Sequence, residues 1–365
     1  MNRAIKYRLY PTDEQCIMFA KTFGCCRKVY NLMLSDKIDY YRKNKKMLHN
    51  TPAQYKADYP FLKEVDSLAL ANVQLNLQFA YAAFFRDRRI GFPKFKSAKH
   101  SRKSYTTNNQ NGTVSVGDNF IRLPKVGMVK AVIHRIPEEG WKLKSATISM
   151  DSDGKYYASV LFEYEDCEAQ VSVSSSAAVG LDYKSDGLYM DSNGYSPAGH
   201  KYYRNSQKKL AAAQRKLRKK TVGSSNYKKQ QLKIAHIHSR IANQRKDFLH
   251  KESAKIANSY DIVCVESLDM KAMSNKGFGN GKATLDNSYG MFLNMLEYKL
   301  KAQGKVLVKV DRWFPSSQIC SACGRRKMMP LSERTYRCCC GYIIDRDINA
   351  AVNIKNEGLR MLEAA

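Results

Sequence analysis

The chemistry-bearing residues crowd into the last fifth of the chain. Cys320-Ser321-Ala322-Cys323-Gly324 is followed by Cys338-Cys339-Cys340-Gly341 and then by Asp345-Arg346-Asp347-Ile348-Asn349-Ala350-Ala351. Two cysteine pairs, each closed by a glycine that lets the backbone turn tightly toward a metal, supply the soft ligands of a closed, tetrahedral, structural Zn²⁺ site. Gly341 sets the frame of the second pair: Cys340 matches Cys323, Cys338 is its better-spaced companion, and Cys339 is spare. A disulfide framework would call for a small exported domain, and the opening Met1-Asn2-Arg3-Ala4-Ile5-Lys6 lacks the apolar core of a signal peptide.

A second chemistry comes from acids at the ends of apolar runs. Ala178-Val179-Gly180-Leu181-Asp182 and Asp261-Ile262-Val263-Cys264-Val265-Glu266 read as strands that finish on a carboxylate, and Asp347 or Asp345 opens the final helix. A single strand-end acid is more often a turn cap. Three that converge can hold two Mg²⁺ ions, one activating water and the other stabilising the leaving oxygen of a phosphodiester.

The elements expected to position these groups follow from pattern. Arg3 to Leu9 alternates as a strand, and Thr12 with Gln15 reads as a capping box that opens a helix. Leu68, Leu75, Phe79, Tyr81, Phe84 and Phe85 recur at helical spacing and are expected to be core. Gly91-Phe92-Pro93-Lys94-Phe95-Lys96 ends that pattern. Short strands punctuated by Asn-Gly, Gly-Asp, Glu-Gly and Asp-Gly then run from Ser104 to Glu165, as a small antiparallel barrel would. The serine-rich run Val171 to Ala177 marks a boundary near 175. Beyond it come a hairpin with a Ser192-Asn193-Gly194 turn, helices over about 205–220 and 226–259, the Glu266 strand, a helix over about 286–303, a strand over 305–311 and the final helix. That order, with its three acids, is what an RNase H-like nuclease needs. The Gly-rich stretch 274–282 is a lid or a plain surface loop. His236-Ile237-His238 imitates a metal-binding pair but falls within a helical pattern.

Charge narrows the partner. The chain of 365 residues carries a net charge of +29. Lys201 to Lys255 holds 17 Lys or Arg against Asp247 and Glu252, and residues 1–110 hold 21 basic against 8 acidic side chains. Long stretches of one sign repel themselves unless they face a polyanion, so nucleic acid is the expected partner. No apolar run approaches the roughly 20 residues that span a bilayer, and a soluble, intracellular protein is expected.

Gly180-Leu181-Asp182, Val265-Glu266-Ser267-Leu268, Trp313-Phe314-Pro315-Ser316-Ser317 leading into the first cysteine pair, and Asp345-Arg346-Asp347-Ile348-Asn349-Ala350-Ala351 together resemble the transposon-encoded TnpB (OrfB) proteins, RNA-guided DNA nucleases related to type V CRISPR effectors. Arg8-Leu9-Tyr10-Pro11, Gly91 to Lys96 and Asn243 to Phe248 extend the resemblance nearly end to end. It implies a multidomain α/β chain: a wedge-like β-barrel from residues 1–10 and 104–175, a helical recognition domain over 11–103, and a RuvC-like nuclease over 176–315 and 343–365 with a zinc-ribbon insert at 316–342. It also implies catalytic, Mg²⁺-binding Asp182, Glu266 and Asp347, and zinc on Cys320, Cys323, Cys338 and Cys340, although Cys338-x-Cys340 is tighter than the commoner spacing. Guide RNA and target double-stranded DNA would be the partners of a monomeric ribonucleoprotein. Arg215, Arg218, Arg240 and Arg245 are candidate phosphate contacts, and Asn72, Asn76, Thr106, Thr107 and Asn108 candidate readers of a short adjacent DNA motif. The alternatives are a transposase or recombinase of the same core acting without RNA, and a guide-dependent repressor.

Overall fold

The computed structural model describes residues 2–165, 175–275, 281–330 and 332–364. The middle of the expected lid, 276–280, lies outside the described residues. The chain divides into two compact units, with the division falling in the stretch 166–174.

In the first unit β1 (Asn2–Tyr10) leads into α1 (Asp13–Asn44), followed by α2 (Ser67–Arg86), β2 (Lys103–Asn108), β3 (Ser115–Val116), β4 (Phe120–Leu123), β5 (Gly127–Val132), β6 (Lys142–Met150) and β7 (Tyr156–Glu163). The expected capping box is formed: the Gln15 amide donates to Thr12 Oγ1 at 3.3 Å and the Thr12 amide to Gln15 Oε1 at 3.1 Å. The strands make one antiparallel sheet in the order β2-β6-β7-β1-β5-β4-β3. One core runs through both classes of element, joining Tyr7 and Leu9, Phe19 and Met33, Leu70 and Leu77, and Ile148 and Val160.

One expectation about α2 is corrected. Its buried residues are Ala69, Leu70, Val73, Leu77 and Tyr81, whereas Leu75, Phe79 and Phe85 are exposed. The helix is apolar around much of its circumference, so periodicity alone did not choose the face.

The second unit is layered. β8 (Ala178–Tyr183) and β9 (Tyr189–Asp191) form a hairpin, followed by α3 (Tyr202–Arg218), α4 (Ser225–Ser259), β10 (Ile262–Glu266), α5 (Met270–Met273), α6 (Gly281–Asn287), α7 (Tyr289–Lys301), β11 (Val306–Val310), β12 (Thr335–Arg337), β13 (Ile343–Asp345) and α8 (Arg346–Glu363). β8, β10 and β11 are parallel, and the sheet order is β11-β10-β8-β9. The β8–β9 turn falls at 184–188. The Ser192-Asn193-Gly194 turn instead ends β9, where Asp191 Oδ1 accepts from the amides of Asn193 and Tyr195 at 2.9 and 2.8 Å.

Period-two alternation divides the parallel strands between two helical layers. Val179, Leu181, Val263 and Val265 pack with Leu249, Ile256, Phe292 and Leu296 of α4 and α7. Ile262, Cys264, Val308 and Val310 pack with Ile354 of α8 on the other side. Gly180 belongs to this second face, and a Cβ there would lie 2.0 Å from the Ala351 carbonyl oxygen, so α8 seats on a bare backbone.

Candidate nuclease centre and cysteine cluster

The same alternation places the acids. β8 and β10 pair in register with Leu181 opposite Val265, so Asp182 and Glu266 are the next neighbours along, at the strand ends and on the face that carries α8. Ala351 sits over Gly180, and Asp347 precedes it by one helical turn, toward those strand ends. Burial raises the Asp182 pKa well above the usual carboxylate range, and the negative charges of Glu266 and Asp347 push in the same direction. Burial also raises Glu266, against which the Ser316 hydroxyl donates to Glu266 Oε1 at 3.1 Å. Asp345 has a separate task as N-cap of α8, accepting from the amides of Asp347 and Ile348 at 2.8 and 3.2 Å.

The thiols of Cys320, Cys323, Cys338 and Cys340 lie within 4.8 Å of one another, the only such group of three or more His, Cys, Asp or Glu ligand atoms among the described residues. Cys320 and Cys340 are 3.8 Å apart at sulfur, and Cys323 and Cys338 3.6 Å. A tetrahedron with about 2.3 Å Zn–S bonds has edges of about 3.8 Å, so the donor set fits a zinc-sized thiophilic ion. Burial pushes the Cys320 thiol up, but amides of Cys323 and Ala322 turned toward its sulfur bring it down to about 7. Gly324 and Gly341 take φ of 75° and 89°, the left-handed turns that close each knuckle. Cys339 is outside the cluster, exposed, with Arg325 donating to its sulfur at 3.0 Å.

Two buried asparagines, which the sequence reading gave no role, join the cysteine cluster to the acids. Asn349 Nδ2 donates to the Ile319 carbonyl at 2.7 Å, and Asn349 Oδ1 accepts from the Ser321 amide at 3.0 Å. Asn353, one turn later, donates to the carbonyls of Ser316 and Ile319 at 2.8 and 2.7 Å. The segment carrying Cys320 and the Ser316 partner of Glu266 is thereby clamped to the helix that carries Asp347. The spacing of Asn349 and Asn353, four residues apart on the helix that carries Asp347, was the available signal. Arg346 adds a strut, with its guanidinium 3.8 Å from Asp347 and donating to the Glu333 carbonyl at 3.3 Å.

The candidate nucleic-acid contacts divide. Arg240 lines a groove of about 550 Å³ between α3 and α4 with Lys209, Lys216, Lys233 and His236, while Arg215 and Arg218 are exposed on α3. His236 and His238 lie on α4, a helix, as their sequence pattern required. Arg245 is a correction: its guanidinium donates to buried Asp286 at 3.0 Å and is committed to the fold. In the first unit Asn72 donates to Asn108 at 3.4 Å, and Asn76 and Thr106 line one cavity of about 340 Å³ with Arg27, Lys96 and Arg102. Thr107 is the second correction. It is fully buried and donates to Asp66, so no base edge can reach it.

Three family models match the chain: a "Helix-turn-helix domain" over residues 1–46, a "Probable transposase" over 159–276 and a "Cas12f1-like, TNB domain" over 289–354. The first of these spans β1 and the single helix α1 here. A "Putative RNA-guided DNA endonuclease" of Streptomyces pristinaespiralis is 35% identical over 98% of this chain and 90% of its own length. The "Putative RNA-guided DNA endonuclease InsQ" of Escherichia coli (strain K12) is 30% identical over 99% of this chain and 93% of its own. Among solved structures, a Cas12f1 chain from a complex with sgRNA and target DNA superposes with a TM-score of 0.64 over 98% of this chain and 99% of that one, at 13% identity, which is a likeness of multidomain α/β fold. With a fold, a thiol cluster and relatives that agree along nearly its whole length, this chain belongs to the TnpB (OrfB) family.

Proposed function

We infer that the protein is an RNA-guided DNA endonuclease that cuts target DNA beside a short, protein-read motif by metal-dependent phosphodiester hydrolysis. The observation that carries this reading is the position of three acids on β8, β10 and α8: Asp182 and Glu266 lie on neighbouring strand ends, and the charges of Glu266 and Asp347 bear on the buried Asp182 carboxyl. Burial first, and then the charges of Glu266 and Asp347, raise the Asp182 pKa well above the usual carboxylate range. Carboxylate oxygens are the hard donors that Mg²⁺ takes, and a pair of these ions would supply an activated water and leaving-group stabilisation. Asp182, Glu266 and Asp347 would hold the metal, Ser316 orients Glu266, and Cys320, Cys323, Cys338 and Cys340 would hold a structural Zn²⁺.

In this assignment residues 176–315 and 343–365 form the RuvC-like nuclease around the 316–342 insert. Residues 11–103 form the recognition domain, and 1–10 with 104–175 the wedge. The α3–α4 groove with Arg215, Arg218 and Arg240 takes guide or heteroduplex backbone, and Asn72, Asn76, Thr106 and Asn108 read the adjacent motif. No helix among the described residues is long and apolar enough to cross a membrane. The test is single replacement of each acid by alanine: RNA and target binding should persist while Mg²⁺-dependent cleavage is lost, and normal cutting by all three variants would reject the centre.

A further inference from the structure

The segment from α2 to Lys96 carries a feature that the nuclease reading does not use. Phe85, Phe92 and Phe95 are 66%, 45% and 57% exposed, although a hydrophobic side chain of this size is stabilised by burial. They are not loose. Phe92 stands edge-on to Tyr81 and Phe84, each at 5.5 Å between centroids, and Phe85 contacts Phe84 at 5.3 Å and stacks on buried Tyr81 at 6.3 Å. Gly91, at φ 79°, supplies the left-handed turn that brings Phe92 back onto α2. The loop is pinned at its far end, where the Asn31 side chain donates to the Lys96 carbonyl and accepts from the Lys96 amide at 2.9 and 2.8 Å.

Charge decides what would cover these rings. From Phe79 to Lys103 the chain has eight Lys or Arg and a single acid, Asp87, which is taken by Arg89. The centre of a protein–protein interface is depleted in charge, whereas fixed rings bordered by exposed Arg86, Arg88 and Lys94 match a strand of unpaired nucleotides, whose bases stack while its phosphates meet the cations.

We propose that Phe85, Phe92 and Phe95, backed by Tyr81 and Phe84 and bordered by Arg86, Arg88 and Lys94, form a stacking platform for unpaired bases of a single-stranded nucleic acid. The proposal rests on the guided-nuclease reading only for the strand's origin, an unpaired stretch of guide RNA or the displaced DNA strand. Its test requires no cleavage, so the two can fail separately.

The experiment uses the full chain bearing Asp182→Ala, with 12-nucleotide oligo(rU) and oligo(dT) probes and a duplex of equal length, across a salt series. Phe85→Leu, Phe92→Leu and Phe95→Leu keep apolar bulk but remove the ring. Each should weaken binding of at least one single-stranded probe by about fivefold or more at unchanged salt slope, and leave the duplex unaffected. The more affected probe, rU or dT, identifies the strand. Lys94→Gln should instead lower the slope on the single-stranded probes by about 0.7. Melting curves check folding, and exposed Phe95 supplies a variant with little core to disturb. Wild-type binding of both probes by all three Leu variants, an equal loss on duplex, or a change in oligomeric mass in place of oligonucleotide binding would overturn the proposal.

Discussion

Asn353→Ala tests the coupling between the cysteine cluster and the acids. Asn353 is buried and donates to the carbonyls of Ser316 and Ile319. Truncation leaves the Ser316 carbonyl without that donor in a largely buried site, while the Ile319 carbonyl keeps the Asn349 side chain as its donor. A buried acceptor left without its partner costs about 1–3 kcal/mol, and that is the loss expected here. In a unit of this size a kcal/mol moves the melting temperature by about 2–4 °C, so a fall of roughly 2–12 °C should appear in the transition of the nuclease half. The same release frees Cys320 and Ser316, so zinc should pass to a chromogenic chelator faster, and cleavage should fall even in protein that has kept its zinc. Asn353→Asp should do no better, because a carboxylate cannot donate to a carbonyl. An unchanged melting temperature together with an unchanged zinc-release rate would refute the clamp.

Other outcomes follow from the same geometry. Purified protein should carry about one Zn²⁺ per chain; Cys320→Ser or Cys338→Ser should lose it and destabilise the fold, while Cys339→Ser should retain it, and equal loss from Cys338→Ser and Cys339→Ser by metal analysis would sink the ligand assignment. In metal-free protein the raised Asp182 pKa means that the folded state binds a proton the unfolded state has released. Stability should therefore decline as pH rises from the ordinary carboxylate pKa through the raised one, and Asp182→Asn should flatten that decline in melting curves. Neutralising Lys209, Lys216, Lys233 and Arg240 together should weaken RNA binding for all sequences alike and reduce the salt slope by about three; a sequence-selective loss would contradict a phosphate groove.

The thiol cluster and the proposed acidic centre were legible in the sequence for different reasons. Thiol spacing and closing glycines are local, so the cluster and the spare Cys339 could be read directly. Asp182 and Glu266 were readable because each ends an apolar run, and period two then requires a common face once β8 and β10 pair. What stayed hidden depended on partners remote in the chain. Thr107 and Arg245 look like free polar side chains until Asp66 and Asp286, each 41 residues away, are brought against them. Asn349 and Asn353 pass for ordinary helix residues until the 316–321 segment is laid across α8. On α2 the failure was one of symmetry: Leu75 and Phe79 repeat at the same period as Leu70, Val73, Leu77 and Tyr81, and only packing decides which stripe is buried.

The central claim is that RNA, not the protein, selects the DNA sequence, while Asp182, Glu266 and Asp347 make the cut. The most direct measurement is cleavage by one purified protein with two guides, on two DNA targets that share the same adjacent motif. Each guide should direct Mg²⁺-dependent cutting only to its matching target, with Asp182→Ala inactive on both. Cleavage that ignores the guide, or that survives removal of the RNA, would contradict the account and favour a transposase acting without a guide.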